Sequence, residues 1–89
     1  MPATKTKEQA EFDQILGRAI RKHREKIGMS RADLAVEIGR TKHLIQAIED
    51  GKMSSNIYRI VEICLIMEVN PGDILDRAVY ELHTKKETE

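Results

Sequence analysis

The chain has 89 residues, 40% of them apolar, 34% charged and 3% aromatic, with a formal net charge of zero. This is the size of one domain with a small core, to which subunit association commonly adds stability, and the zero balance excludes a global basic signature for nucleic acid. A single cysteine, Cys64, excludes an internal disulfide and suits a reducing compartment, and the polar N-terminus shows no secretory apolar run, so a soluble cytoplasmic protein without a membrane role is expected.

Apolar spacing predicts an all-α fold, a compact bundle of five helices. The first runs from about Phe12 or Asp13 to Ile27, with Ile15, Leu16, Ala19, Ile20 and Ile27 on one side and Gly28 as its stop. Gly17 inside it costs about 1 kcal/mol relative to alanine, which predicts a loose N-terminal turn. The second runs from Arg31 to Ile38. Ser30 is its N-cap, Asp33 completes a capping-box-like pair, Leu34, Ala35 and Ile38 face inward, and Gly39 is its C-cap. The third, capped by Thr41, covers Lys42 to Glu49 with Leu44, Ile45 and Ile48 apolar, and Gly51 ends it. The fourth starts after Ser54-Ser55 and continues to Glu68 or Val69, with Tyr58, Val61 and Leu65 on one side expected in the core. The fifth begins at Pro71, a favoured first-turn residue, and reaches about Leu82. The domain therefore spans 12–83, between a flexible N-terminal arm (1–11) and a disordered polar tail (84–89).

The zero net charge hides a partition. Gly17 to Lys52 holds nine cations against five anions, whereas Met53 to Glu89 holds four cations against seven anions. Such asymmetry points to an anionic partner better than the sum does. The third helix also carries its charges against its dipole, which favours anions at the start and cations at the end. Lys42 and His43 stand in its first turn, Arg40 just before it, and Glu49 in its last turn. The second and third helices are joined by a tight turn at Gly39-Arg40, the arrangement of a helix-turn-helix over 31–50.

From about Leu16 to Leu75 the chain resembles the phage repressor and Cro type of helix-turn-helix domain, the Xre-like family. The residues that carry the resemblance are "LGRAIRKHREKIGMS", "LAVEIG", "IQAIEDGK" and "VNPGDIL", in order and at the family's spacing. The resemblance implies a five-helix DNA-binding domain, usually a dimer on a two-fold symmetric operator, with the third helix in the major groove. Lys42, His43, Gln46 and Ala47 would then reach base edges. Ser30, Arg31, Arg40, Thr41 and Lys52 would meet phosphates, and Arg24 and Glu49 would form an ion pair bracing the first helix against the third. Two departures stand out. Arg31 replaces the family's usual glutamine, and Glu68 stands where the family usually ends its fourth helix with glycine. A left-handed backbone at Glu68 would be sterically costly.

No catalytic residue, metal site or cofactor is expected, and no small-molecule substrate. The three histidines are too far apart in sequence for any metal-site spacing, and Cys64 reads as a small core residue. With Tyr58, Val61 and Leu65 on the fourth helix, Leu75, Val79 and Leu82 of the fifth make an apolar surface wider than one small domain can cover. Part of it, through Leu65, Leu75, Val79 and Leu82, is expected to form a homodimer interface, with packing against the N-terminal arm as the alternative. The sequence-level reading is thus a dimeric regulator acting on double-stranded DNA. The alternative is a protein-interaction module, such as an antitoxin that neutralises a toxin partner, with DNA binding secondary.

Overall fold

In the computed structural model, which describes residues 5–88, the chain folds into α1 (Lys7–Lys26), α2 (Arg31–Ile38), α3 (Lys42–Glu49), α4 (Ile57–Ile66) and α5 (Pro71–Thr88). No strand occurs among the described residues. The caps are local chemistry. Ser30 Oγ accepts from the Asp33 amide at 3.0 Å while the Asp33 carboxylate accepts from the Ser30 amide, a complete capping box on α2. Thr41 Oγ1 accepts from the Leu44 amide at 3.2 Å to start α3, and Asn56 Oδ1 accepts from the Arg59 amide at 2.8 Å to start α4.

Four helices end in the same way. The amides of Met29, Arg40, Lys52 and Val69 return to the carbonyls of Arg24, Ala35, Ala47 and Cys64 at 2.9–3.0 Å, each across a left-handed residue. That residue is Gly28, Gly39 and Gly51 in the first three, and Glu68, at φ 57°, in the fourth. The left-handed region costs a residue with a Cβ about 1–2 kcal/mol, and glycine's greater freedom in the unfolded chain offsets about 0.5–1 kcal/mol of the gain from removing it. Glu68→Gly is therefore expected to raise Tm by several degrees, measured by thermal melting; an unchanged or lower Tm would show that the backbone there is not strained.

The core gathers Ile15, Leu16, Ala19 and Ile20 from α1, Leu34, Ala35 and Ile38 from α2, and Ile45 and Ile48 from α3, and then Ile60, Ile63, Cys64 and Met67 from α4 and its C-cap, and Ile74 and Ala78 from α5. Burial pushes the Cys64 thiol above its ordinary pKa, so it stays a neutral packing group.

Several sequence expectations change. α1 begins at Lys7, with Thr6 as its cap, so residues 7–11 of the expected flexible arm are helical; residues 1–4 lie outside the described residues. α5 runs on to Thr88, through most of the expected disordered tail. The polar residues 7–11 (KEQAE) are good helix formers and extend α1 towards its N-terminus, and the two lysines and glutamate of 84–88 extend α5 past its last apolar residue. Gly17 is no loose point. It is buried, and a Cβ there would meet the backbone carbonyls of Ile48 and Glu49, the latter at 2.6 Å, so glycine is what lets the end of α3 lie against α1. Ile27 falls just past α1 and is exposed, and Tyr58 and Leu65, expected in the core, are exposed on α4. The loop after α3 is also tethered. Ser54 Oγ donates to the Asp13 carboxylate and accepts from Gln9 Nε2 at 3.3 Å, and Asp13 in turn holds Lys5 Nζ at 2.8 Å.

Candidate nucleic-acid interface

α3 is an eight-residue helix with one face committed to the core. Ile45 and Ile48 are buried and Leu44 is half-buried against the same cluster. The opposite face is polar. Thr41, Lys42, His43 and Gln46 are exposed, with Ala47 half-buried between them, and Arg40 and Lys52 are exposed at the two ends. His43, Gln46, Ala47, Asp50 and Lys52 line one shallow depression. The first turn holds no acidic residue and the last turn no basic one, as the reversed charge order requires. The structure thus brings Arg40 to Lys52 together around a single helix. It leaves the hydroxyl hydrogens of Ser30 and Thr41 available to donate, since both oxygens act in the caps as acceptors.

Of the two anions at the end of α3, the C-cap Asp50 is exposed and lines this depression, whereas Glu49 is withdrawn from it. Glu49 is 3% exposed and is held by two arginines. Arg24, itself 6% exposed, grips it with one edge of the guanidinium, Nε donating to Oε2 at 2.6 Å and Nη2 to Oε1 at 3.0 Å, and donates from Nη1 to the Met29 carbonyl at 2.7 Å. Arg31 Nε adds a third bond to Oε1 at 3.0 Å. Hydrogen bonding to Glu49 raises the Arg24 pKa above its ordinary value, so the charge that holds Glu49 is fully present at neutral pH and is lost only in strong alkali. The structure forms the Arg24–Glu49 pair that the family resemblance implied.

Arg31 does not stand free as a phosphate ligand. It occupies the first turn of α2 with its side chain 27% exposed and turned to Glu49. Sequence reasoning missed this third member. The available signal was two arginines, Arg24 and Arg31, flanking one inward-facing glutamate, which needs more than one donor to satisfy two buried oxygens. Lys5 was missed as well. Its Nζ lies 3.4 Å from the Gly51 carbonyl, beside Lys52, through a contact 46 residues apart that no local pattern announces. Of the residues expected at an interface between copies, Leu65 and Val79 are exposed, whereas Leu75 and Leu82 are half-buried against the core. Among the described residues there is no group of three or more metal-ligating side chains, and no helix is long and apolar enough to cross a membrane.

This geometry matches known proteins. Residues 19–78 match the family model of the Cro/C1-type HTH DNA-binding domain. Two crystal structures of the clp gene regulator ClgR from Corynebacterium glutamicum superpose on the chain. One has a TM-score of 0.74 and 20% identity over 79% of this chain and 91% of that one; the other has a TM-score of 0.79 and 18% identity over 86% and 82%. The restriction-modification controller protein C.AhdI from Aeromonas hydrophila superposes with a TM-score of 0.66 at 20% identity, over 68% of this chain and 92% of that one. At these identities the superpositions show a shared fold. No curated protein matches the chain. The family model covers well over half of the sequence, including both helices of the helix-turn-helix, and the chain belongs to the Cro/C1-type helix-turn-helix family of DNA-binding domains.

Proposed function

We propose that the chain is a sequence-specific transcriptional regulator that binds a two-fold symmetric operator as a dimer, with α3 in the major groove. The observation that carries this reading is the exposed face of α3. It offers Lys42, His43 and Gln46 in one row while the helix's own anion, Glu49, is withdrawn into the core. Lysine suits guanine O6 and N7, and glutamine suits adenine N6 and N7; Ala47 adds an apolar contact. Ser30, Arg40, Thr41 and Lys52 surround this row and contact phosphates, and Arg31 joins them by turning away from Glu49. The ClgR and C.AhdI structures, described as a gene regulator and a controller protein, support a regulatory role for a chain of this fold.

The dimer is formed by α5 through Leu75, Val79 and Leu82; Leu65, which lines a separate groove between α1, α2 and α4, is left out of it. The exposed Val79 supports this assignment. A C2 pair sets two half-sites about one helical turn of DNA apart. Selection of bound duplexes from a random pool is expected to return a two-fold symmetric consensus. On that duplex, the Lys42→Ala/His43→Ala variant is expected to lose at least about tenfold in affinity, since each good base contact is worth about 1–3 kcal/mol, with Tm within about a degree or two of the parent because both side chains are exposed. Unchanged affinity in that variant would overturn the assignment of α3 as the reading helix. Binding should also weaken steeply with added salt, in keeping with several phosphate contacts.

A further inference from the structure

A groove of about 550 Å³ opens where the end of α1, the outer side of α2 and the end of α4 meet, and none of its lining residues belongs to α3. Met29 and Ile66 form its half-buried floor. Ile27, Val36 and Leu65, one from each element, stand around it with 44%, 77% and 65% of their surfaces exposed. Single apolar residues on a surface are ordinary; three converging on one groove from three elements mark an interaction surface. The rim is acidic. Asp33, Glu37 and Glu68 line it and no cation does, although the groove lies largely in the basic half of the chain. The Asp33 carboxylate serves the α2 cap, whereas Glu37 and Glu68 make no ion pair with the described residues. Glu68 projects its carboxylate there from a left-handed backbone that glycine would occupy at less cost. His23 helps to hold that turn in place, with Nε2 3.3 Å from the Met67 carbonyl oxygen.

We infer that this groove docks a segment of a partner protein, an amphipathic helix whose apolar side chains enter between Ile27, Val36 and Leu65 and whose flanking lysines or arginines meet Glu37 and Glu68. Charge complementarity selects this occupant. Phosphates would be repelled by the three carboxylates. A second copy meeting the groove face to face would oppose six carboxylates without a cation between them. Apolar anchors in a groove with a charged rim are the ordinary physics of helix-in-groove recognition. The inference does not rest on DNA binding.

The test uses the full chain, isotopically labelled for NMR, and a synthetic helical peptide of about twelve residues made of leucine and lysine, with leucines on one face. Saturable shifts centred on Val36, Glu37, Leu65 and Glu68 are expected. The Glu37→Lys/Glu68→Lys variant, altered only at exposed positions, is expected to keep its Tm and to bind the peptide at least about tenfold more weakly. Val36→Ser is expected to weaken binding also. A peptide with glutamate in place of lysine should bind the parent chain poorly and the charge-reversed variant better. The inference is overturned if no saturable shift occurs up to millimolar peptide, if the shifts centre elsewhere, or if charge reversal leaves the affinity unchanged. It is also overturned if the same residues shift with protein concentration alone and Val36→Glu abolishes that dependence, which would assign the groove to a second copy.

Discussion

Glu49→Ala is expected to remove about 3–5 kcal/mol of folding stability, because it leaves the buried Arg24 guanidinium without its counter-charge. In a domain of this size that lowers Tm by at least about 12 °C and takes a large part of the roughly 5–15 kcal/mol that holds a domain together. The asymmetry of the network sharpens the expectation. Arg31 is 27% exposed and can turn to water, so Arg31→Ala should cost only about 1 kcal/mol. Arg24→Ala should approach the Glu49 variant, since it strands a carboxylate that is 3% exposed and frees the Met29 carbonyl. The pair is not a source of net stability compared with apolar residues of the same shape. What it supplies is position, since Glu49 is the last residue of α3 and Arg24 lies in the last turn of α1. Thermal and urea melts of the three single variants check the ranking. A Glu49→Ala protein that melts within a few degrees of the parent would remove the network as the anchor of α3.

Gly17→Ala carries the second largest expected effect, and its sign opposes helix propensity. In an exposed helix interior the change stabilises by about 1 kcal/mol. Here the new Cβ would run into the carbonyl oxygens of Ile48 and Glu49, backbone atoms that cannot turn aside as a side chain can. Overpacking of that kind costs typically about 1–3 kcal/mol, so a net loss of stability is expected, read as a lower urea midpoint with an unchanged slope. Because the displaced backbone carries Glu49, the two effects should couple. The Gly17→Ala/Glu49→Ala double variant is expected to lose less than the two single losses together. A Gly17→Ala protein more stable than the parent would mean that α1 and α3 do not approach as closely as these contacts require.

Each helix was legible in the sequence because its signals are local. Ser30 with Asp33 and Thr41 at α3 are caps read over three or four residues, and Gly28, Gly39 and Gly51 are stops read from the residue type. The left-handed turn at Glu68 followed from the resemblance, since the family usually ends its fourth helix there with glycine. The reversed charges of α3 were equally readable, since they break a rule that needs no third dimension. Together these are enough to place the helix-turn-helix and the residues offered by its second helix. Where α1 starts was not readable in this way. Residues 7–11 lack an apolar stripe, and Gln9 within them reaches Ser54, 45 residues away.

What only the tertiary structure decided follows from the same distinction. Gly17 looked like a weakness along the chain and is a contact point across it, because its missing side chain matters to α3 and not to α1. Arg31 looked like a surface cation and is the second arginine on a buried carboxylate, making its third hydrogen bond, because burial creates a demand for donors that sequence spacing does not express. Ile27, Val36 and Leu65 sit on separate segments, each unremarkable alone, and become one acid-rimmed apolar groove only when α1, α2 and α4 meet. The sequence by itself determined the helices, their caps and the face of α3 offered outward, since backbone hydrogen bonding and apolar periodicity act over a few residues. Packing decided which charges are withdrawn, which glycine is a hinge of close approach and which apolar residues remain uncovered, since those depend on neighbours the chain brings together only by folding.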